Sequence, residues 1–591
     1  MIVLGVNEAH NSSAVLAIDG KIVAAAQEER FVRVKNQFGI PYNAIKFCLD
    51  FAKISPENID LVVFSGGIPQ FITTYKKSST QSNGTVLNLL KLGKYSYIYF
   101  MKTLMELEYR FHSLRGVHNF TLEKYYRLTQ KIFFPKTAKI LEKKIGIPAN
   151  RHLYLDHHTA HTYAALYSSP FPSQNKDALI ITCDGGGDGI SSTVSTCIKG
   201  KVKRIALTNQ DNSLGCLYGV ITDVMGMDPL EHEYKVMGLA PYAEEQGTKR
   251  IYDFLKTVIS FDETTLSFKT VVSSDNLNRY VRRHLPRYRF DHLAGAIQRL
   301  TEELICDLVQ TAIEKTSITN ILFGGGVAQN VKVNQKIAAL PKVKGFFAMP
   351  SGGDESNAIG AAYWGCRKMD KETKLQPLQD LYLGPSFDSI EIKKAIAQSH
   401  LGKKYQVKTL KNPNLTVAQL LVRGEIVARL SGRMEFGARA LGNRSILADP
   451  SLSRAVKIIN RSIKSRDFWM PFAPSILDTQ SPKYLQNPKN LNAPFMTITF
   501  DIRQNTRQDF LAAIHPFDNT SRAQIVTVSQ NPQYYDLLKD FKKITGRGAI
   551  LNTSFNIHGE PIVCSPQDAI STLKRSGLKY LVMESYLIEK L

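Results

Sequence analysis

Several familiar signatures are missing from this sequence of 591 residues. Its seven cysteines are odd in number, widely spaced and without a Cys-x-x-Cys pair, which predicts reduced, mostly buried thiols and a cytoplasmic protein. The N-terminus has no basic segment before an apolar stretch, so we expect no signal peptide there. The most apolar long segment, Val86 to Leu107, is interrupted by lysines and makes a poor transmembrane helix.

Common catalytic motifs are absent as well. There is no Gly-x-x-x-x-Gly-Lys-Ser/Thr phosphate loop, no His-Glu-x-x-His zinc motif and no Gly-x-Ser-x-Gly elbow. The glycine string Gly185–Gly189 leads into a strand, which argues against a dinucleotide-binding fingerprint. No helix-turn-helix, zinc-finger or aromatic RNA-binding signature occurs, so a dedicated nucleic-acid-reading module is not expected.

The composition is that of a globular protein with a strong positive charge. Hydrophobic residues make up 43% of the chain, and the formal net charge is +23. The length predicts two or three domains, because a single hydrophobic core does not grow that large. The charge is compatible with nucleic acid, an anionic membrane or small anionic substrates. Because the basic residues are scattered along the chain, they resemble solvated faces more than a binding module.

Two parts of the chain begin with the same pattern. The first has a strand at Ile2–Val6, a polar loop, and a hairpin of Ala14–Ile18 and Ile22–Ala26 that turns at Asp19-Gly20. The second, from Ala178 to Leu207, repeats strand, glycine-rich turn, strand and strand. Actin-like phosphotransfer folds begin each of their two halves in this way. The fold class is therefore predicted as α/β, with a duplicated actin-like N-terminal domain.

Proline and glycine punctuate the sequence between Leu375 and Phe387, and we place a domain boundary there. This division gives domains at 1–375 and 385–591. Residues from about 70 to 144 form an insertion between the two repeated units, helical by its pattern of leucine, tyrosine and lysine and rich in basic residues. A basic amphipathic hairpin of this kind could touch a membrane surface or a partner.

The sequence around residue 157 contains a candidate metal site. If the segment after Leu155 is helical, His157 and His161 lie on one face, close enough to share one metal ion. Asp184, in the acidic glycine turn further along the chain, could bring a carboxylate to the same ion. The alternative is that both rings are hydrogen-bonded side chains on a helix beside an ordinary turn.

Two further regions suit phosphate. The strand that ends at Gly324 runs into a glycine turn and a helix, so the stretch from Gly325 to Asn330 can offer backbone N–H groups and a helix N-terminus. Near the C-terminus, arginine and lysine stand among glycines and small polar residues at 432–445, 460–466 and 552–556. Guanidinium groups bind phosphate oxygens in pairs, so these clusters predict a polyphosphate site. A salt-bridged surface strip is the alternative.

Six motifs, taken in order, resemble those of the ATP-dependent O-carbamoyltransferases of NodU/CmcH type. They span nearly the whole chain and lie at 25–31, 157–161, 233–242, 325–330, 432–445 and 552–556. The resemblance implies an N-terminal actin-like (ASKHA-type) domain similar to the tRNA threonylcarbamoyltransferase subunit. It also implies a C-terminal α/β domain similar to threonylcarbamoyl-adenylate synthase (YrdC-like).

A two-step reaction follows from the same resemblance. The C-terminal domain is expected to make carbamoyl-adenylate from carbamoyl phosphate and ATP, with Mg²⁺ accompanying the ATP. The N-terminal domain is expected to pass the carbamoyl group to an acceptor hydroxyl, with release of AMP. The chain would thus use ATP and carbamoyl phosphate as co-substrates and a divalent metal ion as cofactor.

The resemblance also implies roles for individual residues. The family's metal ligands suit iron(II), and would also accept zinc or manganese, and they match His157, His161, Asp184 and Asp354. His10 matches a histidine near the carbamoyl group, a candidate general base or hydrogen-bonding polariser, and Lys35 matches a nearby lysine contact. The residues that match those holding ATP and carbamoyl phosphate are Arg439, Lys464, Arg466, Asn552 and Ser554.

Three positions depart from the family's pattern. Asn11 follows His10 where many members have aspartate, so a carboxylate that could tune the imidazole is missing. Ala438 stands in place of the proline of Phe-Gly-Pro-Arg. Met470 stands in place of an arginine before Pro-Phe-Ala-Pro, which removes one cation from the predicted anion site.

The sequence therefore predicts an O-carbamoyltransferase whose acceptor is a hydroxyl group of a small molecule, a natural product or a sugar. Two alternatives stay open. Carbamoyl-type transfer onto tRNA suits the basic charge, although the tRNA enzymes normally keep synthase and transferase on separate chains. A non-catalytic nucleotide-binding partner is suggested by Asn11 and Met470. The sequence identifies neither the acceptor nor the oligomeric state.

Overall fold

The computed structural model describes residues 1–65, 106, 108–109, 134–135, 137–464 and 466–591. The predicted helical insertion at about 70–144, and with it the segment from Val86 to Leu107, lies largely outside these residues. Among the helices of the described ranges, none is long and apolar enough to cross a membrane. All seven cysteines are described, and each carries a free thiol, five of them buried, in agreement with the prediction of reduced thiols.

The first sheet of the N-terminal half has five strands. They are β1 (Ile2–Asn7), β2 (Ser13–Ile18), β3 (Lys21–Gln27), β4 (Leu61–Ser65) and β5 (His152–Leu155). Their order is β3-β2-β1-β4-β5, with β1 to β3 antiparallel and β4 and β5 added in parallel. The predicted hairpin is present, since β2 pairs with β3 in antiparallel fashion. Its turn residues Asp19 and Gly20 have φ angles of 47° and 78°, as a type I′ turn requires.

The second sheet repeats this arrangement. Its strands are β6 (Ala178–Gly187), β7 (Ile190–Ile198), β8 (Lys201–Asn209) and, after a separate hairpin of β9 (Ile259–Asp262) and β10 (Ser267–Thr270), β11 (Asn320–Gly324) and β12 (Gly345–Ala348). The order is β12-β11-β6-β7-β8, again three antiparallel strands followed by two parallel ones. The α/β class is confirmed, and the strand order of the first sheet recurs in the second.

Two helices connect the sheets by crossing between them. The N-terminal half has the helices α1 (Glu29–Val32), α2 (Tyr42–Ala52), α3 (His157–Ser168), α4 (Leu214–Val224), α5 (Glu233–Leu239), α6 (Glu245–Val258), α7 (Ser274–His284), α8 (Phe290–Thr316), α9 (Val331–Ala339) and α10 (Asn357–Met369). Helix α3 follows the first sheet but packs on β6, β7 and β11 of the second. Helix α10 follows the second sheet but packs on β1, β2 and β4 of the first. One apolar core therefore lies between the two sheets of the N-terminal half.

Helices α3 and α10 approach each other closely at Gly360. A Cβ atom at this position would lie 1.8 Å from the carbonyl oxygen of Ala160 in α3. We expect Gly360→Ala to lower the free energy of unfolding by about 3 kcal/mol in chemical denaturation, because an overpacked core must shift its backbone. Gly402→Ala, where nothing lies within 4 Å of the added carbon, is the matched control and should change stability by less than about 0.5 kcal/mol. Equal stability of both variants would contradict this tight contact.

The C-terminal half is built on an eight-stranded sheet of order β13-β23-β22-β14-β15-β21-β16-β20, beside a small sheet of β17, β18 and β19. The strands are β13 (Tyr405–Thr409), β14 (Val427–Leu430), β15 (Arg444–Ala448), β16 (Ala473–Leu477), β17 (Leu485–Gln486), β18 (Phe500–Ile502), β19 (Thr520–Ser521), β20 (Gln524–Val526), β21 (Ala549–Ser554), β22 (Tyr580–Met583) and β23 (Tyr586–Lys590). Separate apolar cores cover the two faces of the large sheet.

Helices flank this sheet, and the chain between the two halves follows an edge strand. The helices are α11 (Ser389–Gln398), α12 (Pro413–Val422), α13 (Arg454–Ile458), α14 (Ser481–Tyr484), α15 (Pro532–Thr545) and α16 (Pro566–Arg575). A π-helical turn, Ile459–Lys464, continues α13, and such turns are frequent at functional sites. Along the predicted boundary, the N–H of Ala25 in β3 donates to the carbonyl oxygen of Leu383 at 3.1 Å. The two halves are therefore in direct contact.

Candidate metal centre and phosphate site

Helix α3 directs two histidines to the same point. Asp156 caps the helix, because its Oδ1 accepts a hydrogen bond from the Thr159 N–H at 3.0 Å. Asp188 accepts the His157 N–H at 2.8 Å and holds the first turn from outside. One turn apart, the Nε2 atoms of His157 and His161 lie 3.1 Å from each other. The helix expected after Leu155 is thus present, with both rings on one face.

Two carboxylates complete this cluster. Asp184 Oδ2 lies 3.1 Å from His161 Nε2 and 3.6 Å from His157 Nε2. Asp354 Oδ1 lies 3.8 Å and 3.6 Å from the same two atoms. One ligand atom from each of the four residues falls within 4.8 Å of all the others. The rings are buried, but the carboxylates are 16% and 19% exposed, which leaves one open side for a substrate.

The electrostatics of the cluster favour a cation at its centre. Burial would lower the pKa of His157, but the carboxylates of Asp354 and Asp184 raise it to about 9. Burial opposes the ionisation of Asp184, yet hydrogen bonds with the two histidines hold its pKa well below the usual range. Burial raises the pKa of Asp354 to about 7. Two carboxylates desolvated beside two imidazoles need a proton or a metal ion between them.

The outer ring nitrogens test whether a metal ion fits. A histidine that binds metal through Nε2 carries its proton on Nδ1 and donates it to a neighbour. His161 Nδ1 lies 3.4 Å from Ser356 Oγ, which itself donates to Gly353 O and is free to accept. His157 Nδ1 lies 3.2 Å from the Asn357 amide nitrogen, while the buried Asn357 Oδ1 has no partner in the described ranges. If the Asn357 amide is rotated by 180°, its Oδ1 can accept a hydrogen bond from the protonated Nδ1 of His157. Both histidines can then present an unprotonated Nε2 to a metal ion.

His158, between the two candidate ligands, has a different role. Its Nδ1 lies 2.7 Å from Thr182 Oγ1 and its Nε2 lies 2.9 Å from Ile190 O. Both ring nitrogens are therefore engaged with the second sheet, and the ring attaches α3 to β6 and β7. Of the three histidines in this stretch, the structure brings only the predicted pair to the carboxylates.

His10 and Lys35 lie on the first sheet's loops. Burial lowers the pKa of His10 to about 4, against the opposing charges of Asp184 and Glu29, so the ring is neutral at pH 7. The Lys35 ammonium lies 3.3 Å from Glu231 Oε2. Asn11 has a φ of 55°, a left-handed conformation that both asparagine and aspartate tolerate. The departure from the family at Asn11 therefore keeps the local turn while removing a charge.

The glycine turn after β11 contributes to the candidate metal centre. The N–H of Gly326 donates to Asp184 Oδ2 at 3.1 Å. At Gly325, with φ 85°, a Cβ atom would lie 2.4 Å from the Cys183 carbonyl oxygen, so only glycine fits. The Asn330 side chain caps α9 and exchanges hydrogen bonds with Gln298 at 2.8 and 3.1 Å. Phosphate binding by Gly325 and Asn330 stays a prediction.

In the C-terminal half, the structure brings Lys464 and Ser554 together. Lys464 Nζ donates to the Ser554 carbonyl oxygen at 2.5 Å, to Ser554 Oγ at 2.9 Å and to Asn556 Oδ1 at 2.7 Å. Asn552, on the same strand, donates to the carbonyl oxygen of Ala440, the residue after Arg439, at 3.2 Å. Lys464 is only 3% exposed, and burial lowers its pKa well below the usual range. A salt-bridged surface strip is therefore excluded.

Three guanidinium groups accompany Lys464 with little negative charge to balance them. Burial lowers the pKa of Arg439, that of Arg466 to about 10, and that of Arg522 well below its usual range. The charges of Arg439 and Arg466 lower the pKa of Arg522 further. Within the described ranges, the side chains of Arg439 and Arg522 make no hydrogen bond or ion pair. The three arginines are half-buried, and Arg466 donates to the Pro471 carbonyl oxygen at 3.1 Å. Partly desolvated cations with few partners are costly, so this group is a candidate anion site.

Arg522 is a candidate functional residue that no sequence motif marks. It lies between β19 and β20, in a stretch without the glycines that draw attention to the other clusters. Met470 packs against Gly238 of α5, with Sδ 3.4 Å from the position of an added Cβ, and so belongs to the contact between the halves.

Comparison with known proteins assigns the chain to a family. A family model described as "Carbamoyltransferase N-terminus" matches residues 2–363, and one described as "Carbamoyltransferase C-terminus" matches residues 418–590. The uncharacterized protein sll1178 of Synechocystis sp. is 30% identical over 98% of this chain and 95% of that protein. The nodulation protein NolNO of Sinorhizobium fredii is 29% identical over 98% of this chain and 79% of that protein.

A solved structure, component A of the (R)-2-hydroxyglutaryl-CoA dehydratase of Acidaminococcus fermentans, covers 62% of this chain and 98% of its own at 14% identity, with a TM-score of 0.31. The family assignment depends instead on the matched ranges. Because the two family models together cover most of the sequence, this protein belongs to the carbamoyltransferase family, the enzyme class that its motifs predicted.

Proposed function

We propose that this carbamoyltransferase works in two steps at two sites of one chain. The domain at 385–591, YrdC-like in this proposal, forms carbamoyl-adenylate from ATP and carbamoyl phosphate at the cation cluster. The domain at 1–375, whose two sheets we interpret as the halves of an actin-like fold, transfers the carbamoyl group to a hydroxyl of a small natural product or sugar. AMP is released in that step. Both co-substrates are cytoplasmic metabolites, so the proposed location is the cytoplasm.

One observation carries this proposal: the loop of the metal centre and the loop of the phosphate site touch. Ser351, three residues before Asp354, accepts a hydrogen bond from the N–H of Ala438 at 3.2 Å, and Ala438 precedes Arg439. The charge of Glu355, the neighbour of Asp354, also acts on the pKa of Arg439 against the effect of burial. Carbamoyl-adenylate formed beside Arg439 would therefore have only a short distance to travel to the candidate metal centre.

In the first step, the chain's part is to bind and neutralise phosphate groups. Arg439, Arg466, Lys464 and Arg522 supply positive charge, and arginine can bind phosphate oxygens in pairs. Atom balance requires that water removes the phosphate from carbamoyl phosphate and that the resulting carbamate displaces pyrophosphate from ATP. Ser554 and Asn552 offer hydroxyl and amide groups to orient these anions. Pyrophosphate release is the measurable sign of this step.

In the second step, the residues around α3 receive the anhydride. A divalent ion held by His157, His161, Asp184 and Asp354, with iron(II) favoured, supplies Lewis-acid polarisation of the carbamoyl group. His10 is neutral and therefore has a lone pair that can accept the proton of the acceptor hydroxyl. Lys35, on the loop after α1, offers a positive charge that acts on His10 and is suited to the departing AMP.

The two-step function predicts a defined result for the purified protein. With ATP, carbamoyl phosphate, Mg²⁺ and iron(II), we expect pyrophosphate release that depends on carbamoyl phosphate, before any acceptor is added. A screen of sugar and natural-product alcohols, read by mass spectrometry, should then reveal one class that gains a carbamoyl group. Omitting carbamoyl phosphate is the control. Pyrophosphate release no higher than in that control would contradict the function.

Transfer onto tRNA is a second candidate because the net charge of the chain is +23. Binding driven by phosphate contacts weakens steeply with salt, and a salt series with total tRNA measures this directly. We expect tRNA binding to be lost at physiological salt. Binding that persists there, together with a carbamoyl gain on tRNA, would favour this candidate over the small-molecule acceptor.

A further inference from the structure

The segment from Gln27 to Gln37, which contains α1, carries buried charges that neither proposed step uses. Glu28, Glu29 and Arg30 are only 4%, 6% and 2% exposed. The two carboxylates shape the segment itself: Glu28 accepts the N–H of Ala44 at 2.9 Å, and Glu29 accepts the N–H of Asn36 at 2.8 Å. The two arginines, Arg30 and Arg33, reach instead into the C-terminal half.

Arg30 holds the loop on which Arg439 is mounted. Its Nη2 donates to the Gly437 carbonyl oxygen at 2.7 Å and to Gln27 Oε1 at 2.9 Å, and its Nη1 lies 3.1 Å from Glu29 Oε1. Gly437 has a φ of 98°, and a Cβ atom there would lie 2.4 Å from Ser351 Cβ. This glycine turn stands two residues before Arg439, so Arg30 fixes the direction in which the chain enters the phosphate site.

Arg33 holds the loop that orients Lys464. Its Nη1 donates to the Ile562 carbonyl oxygen at 2.6 Å and its Nη2 to the Pro561 carbonyl oxygen at 2.8 Å. Pro561 and Ile562 are the last residues of a short loop that begins near Asn556. Within this loop, the Asn556 side-chain amide donates to the Glu560 carbonyl oxygen at 2.7 Å. Oδ1 of the same asparagine accepts the hydrogen bond from Lys464. Arg33 is thus linked to Lys464 through one short loop.

We propose that Arg30 and Arg33 are positioning residues, through which the N-terminal half sets the geometry of Arg439 and Lys464 in the C-terminal phosphate site. The inference rests on the proposed function. Arg30 holds a backbone carbonyl group of the loop that carries Arg439. Arg33 holds two carbonyl groups of the loop whose Asn556 accepts a hydrogen bond from Lys464. A guanidinium group suits this task because its planar fork can hold two carbonyl oxygens at fixed directions. A misplacement of about 1 Å in such a site can cost about 10²-fold in rate.

Arg33→Met tests the proposal, because the side chain is 26% exposed and methionine keeps its apolar stem without its donors. We expect kcat/KM for pyrophosphate release to fall about 10- to 100-fold, while the melting temperature and the bound metal stay as in the wild type. Arg151→Met is the matched control. Arg151 also donates to two backbone carbonyls, Glu57 O at 2.6 Å and Ile59 O at 2.7 Å, but both lie in the N-terminal half.

Arg33→Lys separates positioning from a general structural role. Lysine keeps the charge and can hold one carbonyl oxygen, so its rate should lie between those of Arg33→Met and the wild type. If Arg33→Met does not fold, the lysine variant is compared with the wild type alone, and a rate reduced several-fold supports the proposal. The proposal is overturned if Arg33→Met and Arg33→Lys release pyrophosphate at the wild-type rate. It is also overturned if kcat/KM falls as much in Arg151→Met as in Arg33→Met. Absence of pyrophosphate release in the wild type would instead contradict the two-step function itself.

Discussion

Replacing His157 by glutamine is expected to slow carbamoyl transfer to the acceptor by about 10³-fold or more, while pyrophosphate release continues at its normal rate. The His157 ring lies within 3.6 Å of both carboxylates and 3.1 Å of His161, so the metal ion would lose one of four ligands. In the proposed reaction, the first step uses the cations of the C-terminal half, which this substitution leaves in place. Transfer is measured by mass spectrometry, pyrophosphate by a coupled assay, and bound metal by elemental analysis.

His152→Gln is the matched control for this experiment. His152 is also a buried histidine, 5% exposed on β5, and neither of its ring nitrogens has a partner in the described ranges. This variant should keep its metal and both steps. If His157→Gln loses both steps in a protein that is still folded, the division of the reaction between two sites is wrong.

Replacing Lys464 by methionine is expected to slow pyrophosphate release by about 10²-fold without loss of bound metal. The Lys464 side chain donates to three acceptors on Ser554 and Asn556, and the charge of Arg466 acts on it, so it belongs to the cation cluster. A hydrogen bond that involves a charged group contributes about 1.5–3 kcal/mol, which corresponds to a factor of about 10 to 150. Transfer from carbamoyl-adenylate supplied from outside should continue.

Lys489→Met provides the control for the loss of a lysine that donates to backbone carbonyl groups. Lys489 Nζ also donates to two carbonyl oxygens, those of Leu340 at 2.8 Å and Val343 at 2.7 Å, and burial lowers its pKa too. Because these two carbonyl groups belong to the N-terminal half and not to the loop of Ser554 and Asn556, we expect a wild-type rate. Full pyrophosphate release by Lys464→Met would remove this lysine from the first step, and a lower metal content would indicate a structural defect.

Local signals in the sequence predict much of the N-terminal fold. The Asp19-Gly20 turn predicts the first hairpin, and the repeated pattern predicts the three consecutive strands that begin each sheet, but not the parallel strands that complete it. The pair His157 and His161 is predictable because residues four apart share a helix face. Asp354 is different: its place beside them depends on the crossing of α3 and α10, which is a tertiary event that no local pattern encodes.

The arginines of the C-terminal half mark the limit of sequence reasoning. In the 432–445 motif, Arg433 donates to the carbonyl oxygens of Leu383 and Val23, and Arg444 is fully buried among the carbonyl oxygens of other loops. Only Arg439 keeps its guanidinium for a ligand. The sequence shows three similar residues, because the difference lies in which backbone carbonyls fold around each one. Arg522 is not predicted from the sequence, because its place near Arg439 and Arg466 also depends on the tertiary fold.

The crossing of α3 and α10 also has a consequence in polymer terms. The proposed ligands His157 and Asp354 are nearly two hundred residues apart in the sequence, so an ion held between them would close a long loop. Such an ion is held in the folded state alone, because the unfolded chain would have to close this long loop to bring the same side chains together. By mass action, the folded state then becomes more stable as free metal increases. The supply of metal would thus regulate how much of this protein survives, as well as how fast it works.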